Sequence, residues 1–512
     1  MISQRANNAG FKTTRRAVLL GSTFALAAPG LLRAQGMMEH GGMMESGRNS
    51  TAATPAGGAP FRSLPTLNAT DGKLDLRAMA GQTRFEGGAP TKTKGFGQAY
   101  LGPTIRLRRG ETVEAQVANA TERSISVHWH GLHVTSDADG GAPQSAIAAG
   151  DSWRAMLPIE QPAATLWYHT HVHGHTAPDV WAGLAGAIIL EDEVSDALGL
   201  PSTDGIDDFT IIMQDKSFDA EGRANYDPGM MGIMHGVVGQ IVLVNGQFAP
   251  RASVPAGPVR LRLINAATSA EHHVTFAHPT VVVGVDQGLL SEPIAVESVT
   301  VSPGARVEVI VDLSDGDICM PSVTAATVGS SEGGDASMMG GGMMAERSTP
   351  HPLLTLAPDA SLPVRGRIPD RLVDPLPDPP TPVTNRRFVL QENMGPMQHL
   401  RSAIGSGPVM AINGEPYNPD RMDFTVKRGT FERWTISAEG MAHPFHAHGV
   451  KFWVPEPNGP EETGWKDVVT VSGTRDLWVS VEAESRDDIP FMYHCHILEH
   501  EDAGMMGQFV TN

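Results

Sequence analysis

The sequence predicts an all-β protein of three consecutive β-sandwich domains. Residues 110–119 alternate apolar and polar side chains with a period of two, the pattern of a half-buried strand. The same pattern returns at 257–265 and at 429–437, once per domain-sized interval. Sustained helical periodicity is scarce, and 56 Gly and 38 Pro punctuate the chain with turns. At 512 residues, a prior of ~150 residues per domain also gives about three domains.

Taken in order, residues 1–34 read as a twin-arginine signal peptide. Thr14-Arg15-Arg16-Ala17-Val18-Leu19-Leu20 is followed by an apolar stretch and a cleavage site at Leu32-Arg33-Ala34. This address predicts a periplasmic or secreted protein. Pro29 and Gly30 break the apolar run, so no stable membrane insertion is expected. Residues 35–60 form a flexible Met-rich leader, with Met37, Met38, Met43 and Met44. The first domain is expected at 61–195 and closes at Glu191-Asp192-Glu193. The second spans 206–362 and contains a Met-rich loop, 333–346. A Pro-rich linker, 363–382, leads to the third domain, 383–512. The Met-rich segments are either soft collectors of Cu(I) or plain mobile excursions.

A net charge of -19 excludes nucleic acid as a partner, because that needs a basic footprint. The only cysteines are Cys319 and Cys495. No disulfide framework follows, and Cys319 reads as a small buried hydrophobe.

The chemistry concentrates near the C-terminus, in Tyr493-His494-Cys495-His496-Ile497-Leu498-Glu499-His500-Glu501-Asp502-Ala503-Gly504-Met505-Met506. A mononuclear copper site of the blue type takes two His, one Cys thiolate and a weak axial Met. Cys495, His500 and Met505 supply three of these donors, and Met506 competes with Met505. On an extended strand Cys495 faces one way while His494 and His496 face the other, so one strand would touch two metal centres. Three further clusters carry histidines: His128-Trp129-His130-Gly131, Trp167-Tyr168-His169-Thr170-His171, and His443-Pro444-Phe445-His446-Ala447-His448-Gly449. An H-x-H pair on a strand aims both imidazoles at one face. His443 completes the mononuclear set. Eight histidines in four H-x-H pairs remain, two pairs from each end domain, which suits a cluster of several copper ions. His173 reads as structural and His175 as a loop residue. The middle repeat has His272-His273, on opposite faces, and reads as a metal-free spacer.

These motifs closely resemble those of the multicopper oxidases over nearly all of the chain after residue 60. Leu101-Gly102-Pro103-Thr104 and Gly183-Leu184-Ala185-Gly186 extend the likeness. The resemblance is strongest to bacterial periplasmic cuprous oxidases of copper efflux, which are laccase-like. It implies cupredoxin-like Greek-key domains and four copper ions. It assigns type 1 copper to His443, Cys495, His500 and Met505, type 2 to His128 and His446, and the type 3 pair to His130, His169, His171, His448, His494 and His496. It implies electron transfer through Cys495 and proton supply by Asp139 and Glu501.

For the substrate, the resemblance places Glu439 and Met441 at a Cu(I) site just before His443. A long Met- and His-rich insertion of the relatives is reduced here to the stretch from Glu392 to Met410, which predicts easier access for phenols. The expectation is a monomeric enzyme of copper tolerance. It would oxidise Cu(I), with side activity on small aromatic reductants, and reduce O2 to water. A general laccase for organic reductants and a non-enzymatic copper-storage protein are the alternatives.

Overall fold

Each copy of the recurring pattern forms a strand with the same two kinds of neighbour. Thr112–Ala120 lies parallel to Lys73–Thr83 and antiparallel to Ser152–Pro158. Pro258–Asn265 lies parallel to Asp208–Phe218 and antiparallel to Arg306–Asp312. Phe431–Ala438 lies parallel to Thr384–Glu392 and antiparallel to Thr474–Val481. This computed structural model describes residues 58–330, 347–376, 378–392, 410–486 and 488–512. The signal segment, almost all of the leader, the Met-rich loop 333–346 and most of the stretch from Glu392 to Met410 lie outside the described residues.

The fold is all-β and cupredoxin-like. The first domain pairs two four-stranded sheets, and the third pairs a six-stranded with a five-stranded sheet. The middle domain is built on a nine-stranded sheet beside a two-stranded one. Each has its own apolar core, around Phe96 and Val113, around Phe209 and Val309, and around Trp434 and Phe445. Full burial of such side chains stabilises by about 1.5–3 kcal/mol each. A fourth cluster, including Trp167, Ile212, Ile264 and Leu498, draws on all three domains and fills the seam between them. Cys319 is fully buried in the middle core, as its isolation in the sequence suggested.

The middle strand departs from the alternating pattern. Pro258–Asn265 is buried at all but its first residue. Its outward positions Arg260 and Arg262 are covered because they pair with Glu308 and Asp208, and Arg262 also donates to Thr165 of the first domain. A polar residue on this strand therefore marks a domain contact rather than solvent.

Candidate metal centres

The end domains bring the four histidine motifs together. The strands His443–Ala447 and Phe491–Cys495 run antiparallel, with His446 opposite His494 and Phe445 opposite Cys495. In the first domain, His128 and His169 exchange backbone hydrogen bonds of 2.8 and 3.1 Å, which sets the first motif beside the second. Rings from the two end domains then stack, His128 on His448 at 3.7 Å and His130 on His446 at 3.9 Å. The alternation expected along the last strand is present. Cys495 Sγ faces His443 Nδ1 at 3.5 Å and His500 Nδ1 at 3.8 Å, while the His494 and His496 rings lie 5.6 Å apart and face the other cluster.

Hydrogen bonds fix which ring nitrogen most of these histidines present. A carbonyl or carboxylate oxygen only accepts here, so a nitrogen bonded to one carries the proton. Nδ1 donates to a backbone carbonyl from His128 (Asp139, 3.1 Å), His169 (Thr170, 2.8 Å), His446 (Asp467, 2.7 Å) and His494 (Cys495, 3.0 Å). His448 Nδ1 donates to the Asp139 carboxylate at 2.8 Å. Each of these rings therefore offers Nε2 inward. His171, His448 and His494 converge through Nε2, at 3.2 and 3.3 Å from His494. His443 and His500 converge instead through Nδ1, 3.3 Å apart, and His500 Nε2 donates to the Met234 carbonyl at 3.1 Å.

Such crowding of buried donors calls for a cation. His128 Nε2 and His446 Nε2 are buried without a hydrogen-bond partner among the described residues, and so are both ring nitrogens of His496. Burial, reinforced by neighbouring imidazoles, holds His130, His169, His171, His443, His446 and His494 well below the usual histidine range. Neutral imidazole is the form that ligates metal. Burial pushes the Cys495 thiol up, so a thiolate there needs a bound cation to stabilise it. Donor atoms of His443, Cys495 and His500 lie within 4.8 Å of one another, as do those of His128, His446 and His448, and of His171, His448 and His494. These soft and borderline donors fit copper. His496 joins no such convergent group among the described residues, although its ring is 5.1 Å from that of His130.

The remaining site residues divide. Met505 is buried in the same core cluster as Cys495, whereas Met506 stands opposite His494 and shares its face. Asp139 and Glu501 are both buried against the histidines. Burial works against ionisation of Asp139, yet the His128 and His448 imidazoles hold it well below the usual carboxylate range. Burial, with Asp502 and Glu499 nearby, pushes Glu501 far up; its Oε2 lies 3.2 Å from His494 Nδ1. Glu439 is exposed and accepts from Gln391 Nε2 at 2.9 Å, while Met441 packs on the third core. His173 is exposed and its ring lies 5.0 Å from that of Tyr417; His175, also exposed, precedes a short helix, Thr176–Trp181, without capping it through its side chain.

Two expectations need correction. The His500 edge, expected to be open to phenols, is not exposed. His500 is fully buried, and its Nε2 is covered by the middle-domain helix Gly229–His235, which carries Met230, Met231 and Met234. Nor is the middle domain a mere spacer. Besides Met234 it contributes Gln287 and Arg306, which contact Asp467 beside the histidines. Asp467 itself, with Oδ1 3.2 Å from His130 Nε2, went unnoticed in the sequence because no histidine flanks it.

Family models for multicopper oxidases match residues 78–195 and 380–512. The laccase-like multi-copper oxidase CueO from the lignin-degrading bacterium Ochrobactrum sp. aligns at 36% identity and a TM-score of 0.78, covering 88% of this chain and 100% of its own. This chain is a multicopper oxidase family member. A metallo-oxidase of the family from Campylobacter jejuni is 26% identical with a TM-score of 0.73, covering 89% and 95% of the two chains. Curated relatives named cell division protein FtsP include those of Yersinia pestis, 35% identical over 87% of this chain and 91% of its own, and Escherichia coli K12, 34% identical over 88% and 93%. Those names overturn the expected role in copper tolerance. These curated relatives, which share 87–88% of this chain's length, are named for cell division, so a dedicated cuprous oxidase does not follow from the copper-ligand motifs. Among the described residues no helix is long and apolar enough to cross a membrane.

Proposed function

We propose that this multicopper oxidase carries copper at both centres and uses O2 to oxidise small aromatic reductants, within the cell-division setting for which its curated relatives are named. The reading rests on one observation: ten buried histidines and Cys495 are present in two clusters, most of the rings oriented by hydrogen bonds to backbone carbonyls or buried carboxylates. We assign a type 1 site to His443, Cys495, His500 and Met505. We assign a type 2 site to His128 and His446, and a type 3 pair to His130, His169, His171, His448, His494 and His496. Four bound copper ions would supply one-electron redox chemistry, and four electrons with four protons convert one O2 to two waters. Cys495 shares peptide bonds with His494 and His496, so the two sites are joined by the shortest covalent path the chain allows. Glu501 Oε2 lies 3.2 Å from His494 Nδ1 and burial keeps its carboxyl protonated, so we assign proton supply to Glu501, while the Asp139 carboxylate accepts from His448 Nδ1 and would pass on protons that reach it. The Ochrobactrum relative is described as having oxidase activity toward lignin model compounds, which supports an aromatic donor. Export by the twin-arginine route is part of the same proposal.

The test is copper content and O2 uptake of the full-length, copper-loaded protein with a methoxyphenol. Four coppers per chain and one O2 consumed per four phenol oxidations are expected. The FtsP names favour a second reading, a division protein without oxidase activity. Loaded protein that consumes no O2 with phenols or aromatic amines would establish that reading and end the first.

A further inference from the structure

Arg306, on the middle-domain strand Arg306–Asp312, is fully buried and spends all five of its N–H groups. Nε donates to the Thr165 carbonyl of the first domain at 3.2 Å. Nη1 donates to the Gly304 carbonyl at 3.1 Å and to Asp467 Oδ1 at 2.5 Å. Nη2 donates to the Asp286 carbonyl at 2.8 Å and to Asp467 Oδ2 at 2.6 Å. One guanidinium thus touches all three domains. Its bidentate grip fixes the plane of the Asp467 carboxylate.

Asp467 in turn holds two histidines of the cluster. Its backbone carbonyl accepts from His446 Nδ1 at 2.7 Å, and its Oδ1 lies 3.2 Å from His130 Nε2. Oδ1 is shared by Arg306 and His130, and Oδ2 by Arg306 and Gln287 Nε2, 2.5 Å away. All four lone-pair positions are taken, so Asp467 is not itself free to ligate a metal, although its oxygens lie within 4.8 Å of His130 and His446 donor atoms. With its Nε2 bonded to Asp467, His130 must present Nδ1, which lies 3.4 Å from His169 Nε2. His130 is thereby turned opposite to His169, His446 and His494, which present Nε2.

We propose that Arg306, acting through Asp467, is the positioning residue that sets the tautomer and tilt of His130 and His446, making the middle domain a working part of the trinuclear centre. Gln287 supports the same carboxylate and also donates to the Gly131 carbonyl next to His130, at 3.1 Å. The inference rests on the copper-binding reading above. It predicts that loosening the carboxylate weakens copper at the trinuclear cluster and leaves the type 1 site intact. Outer partners of this kind typically change metal affinity by ~10–100-fold.

The experiment titrates full-length, copper-loaded protein with a copper chelator. It follows total copper, the visible thiolate-to-copper absorption of the type 1 site and the EPR signal of the type 2 copper. In Arg306→Met and Asp467→Asn, the type 2 signal should change shape, and trinuclear copper should be lost at ~10–100-fold lower chelator, with the type 1 absorption retained. Gln287→Met, which leaves the Arg306–Asp467 pair in place, should show a smaller loss of the same kind and serves as the test if the other two do not fold. Unchanged trinuclear affinity and signal shape in a folded variant, or equal loss from both centres, would overturn the proposal. Wild-type protein that takes up no trinuclear copper would instead refute the copper-binding reading itself.

Discussion

Gly304 offers a direct probe of how tightly the cluster is shaped. Its φ of +82° is a conformation that L side chains rarely adopt, and a Cβ placed there would meet the His496 ring at 2.8–2.9 Å. Ordinary carbon contacts begin near ~3.5 Å, so Gly304→Ala requires the ring to retreat by about 0.7 Å. The ring cannot recoil freely, because the His496 backbone N–H is tied to Pro444 at 2.6 Å and the residue is fully buried. A displacement of ~1 Å in a catalytic constellation costs ~10²-fold, so O2 uptake should fall by roughly 10–100-fold. The type 1 absorption should persist. Gly150→Ala is the control, with a similar φ of +88° and nothing within 4 Å of its Cβ. It shares the backbone strain without the contact. Oxygen-electrode rates and copper content on the two variants decide the matter. Equal loss in both, or normal O2 uptake in Gly304→Ala, would refute the steric reasoning.

Other outcomes follow from the same geometry. Cys495→Ser should abolish the visible absorption and oxidation of phenols while trinuclear copper stays bound; retained colour would show the thiolate assignment to be wrong. Glu501→Gln should slow O2 reduction by about 10²-fold, the lower end of general acid catalysis, with anaerobic reduction of the type 1 site unchanged. Slowing of both steps would point to a structural role for Glu501. Glu308 carries a pH prediction: burial opposes its ionisation, but Arg260 and Arg262 lower its pKa to about 2. An unfolded Glu titrates near ~4.3, so this pair contributes about 3 kcal/mol that is fully present above that pH and lost as pH falls toward 2. Thermal unfolding from pH 7 down to 3 should show a steeper loss for the wild type than for Glu308→Gln, and superimposable profiles would contradict the pairing.

The sequence made the two clusters of candidate ligands legible because strand periodicity translates directly into facing. An H-x-H pair and a cysteine between two histidines need no tertiary information to assign their sides, and the observed sides agree. The recurring strand was readable for the same reason. What could not be read were partners that matter only through contacts across domains. Arg306 opens a strand whose alternation would send it to solvent, and Asp467 sits in an unremarkable turn before Val468–Val471. Met234 acts through its backbone carbonyl, which no side-chain pattern reports. The cellular role was misjudged for a related reason. Ligand motifs specify the metal chemistry a fold can hold, and relatives named for cell division share the length and the fold.

The distances along the chain also bear on how such a site can be made. His171 meets His494 across 323 residues, and Asp139 meets His448 across 309. Of the eight histidines proposed for the trinuclear cluster, half lie in the first domain and half in the third. A nascent chain therefore carries a set of histidines with no second half to close on them until the third domain has been made. Contacts of this range are slow to form. A copper cluster built this way would close only once the third domain has folded, and loss of the Phe491–Cys495 strand would leave the first-domain histidines without their partners.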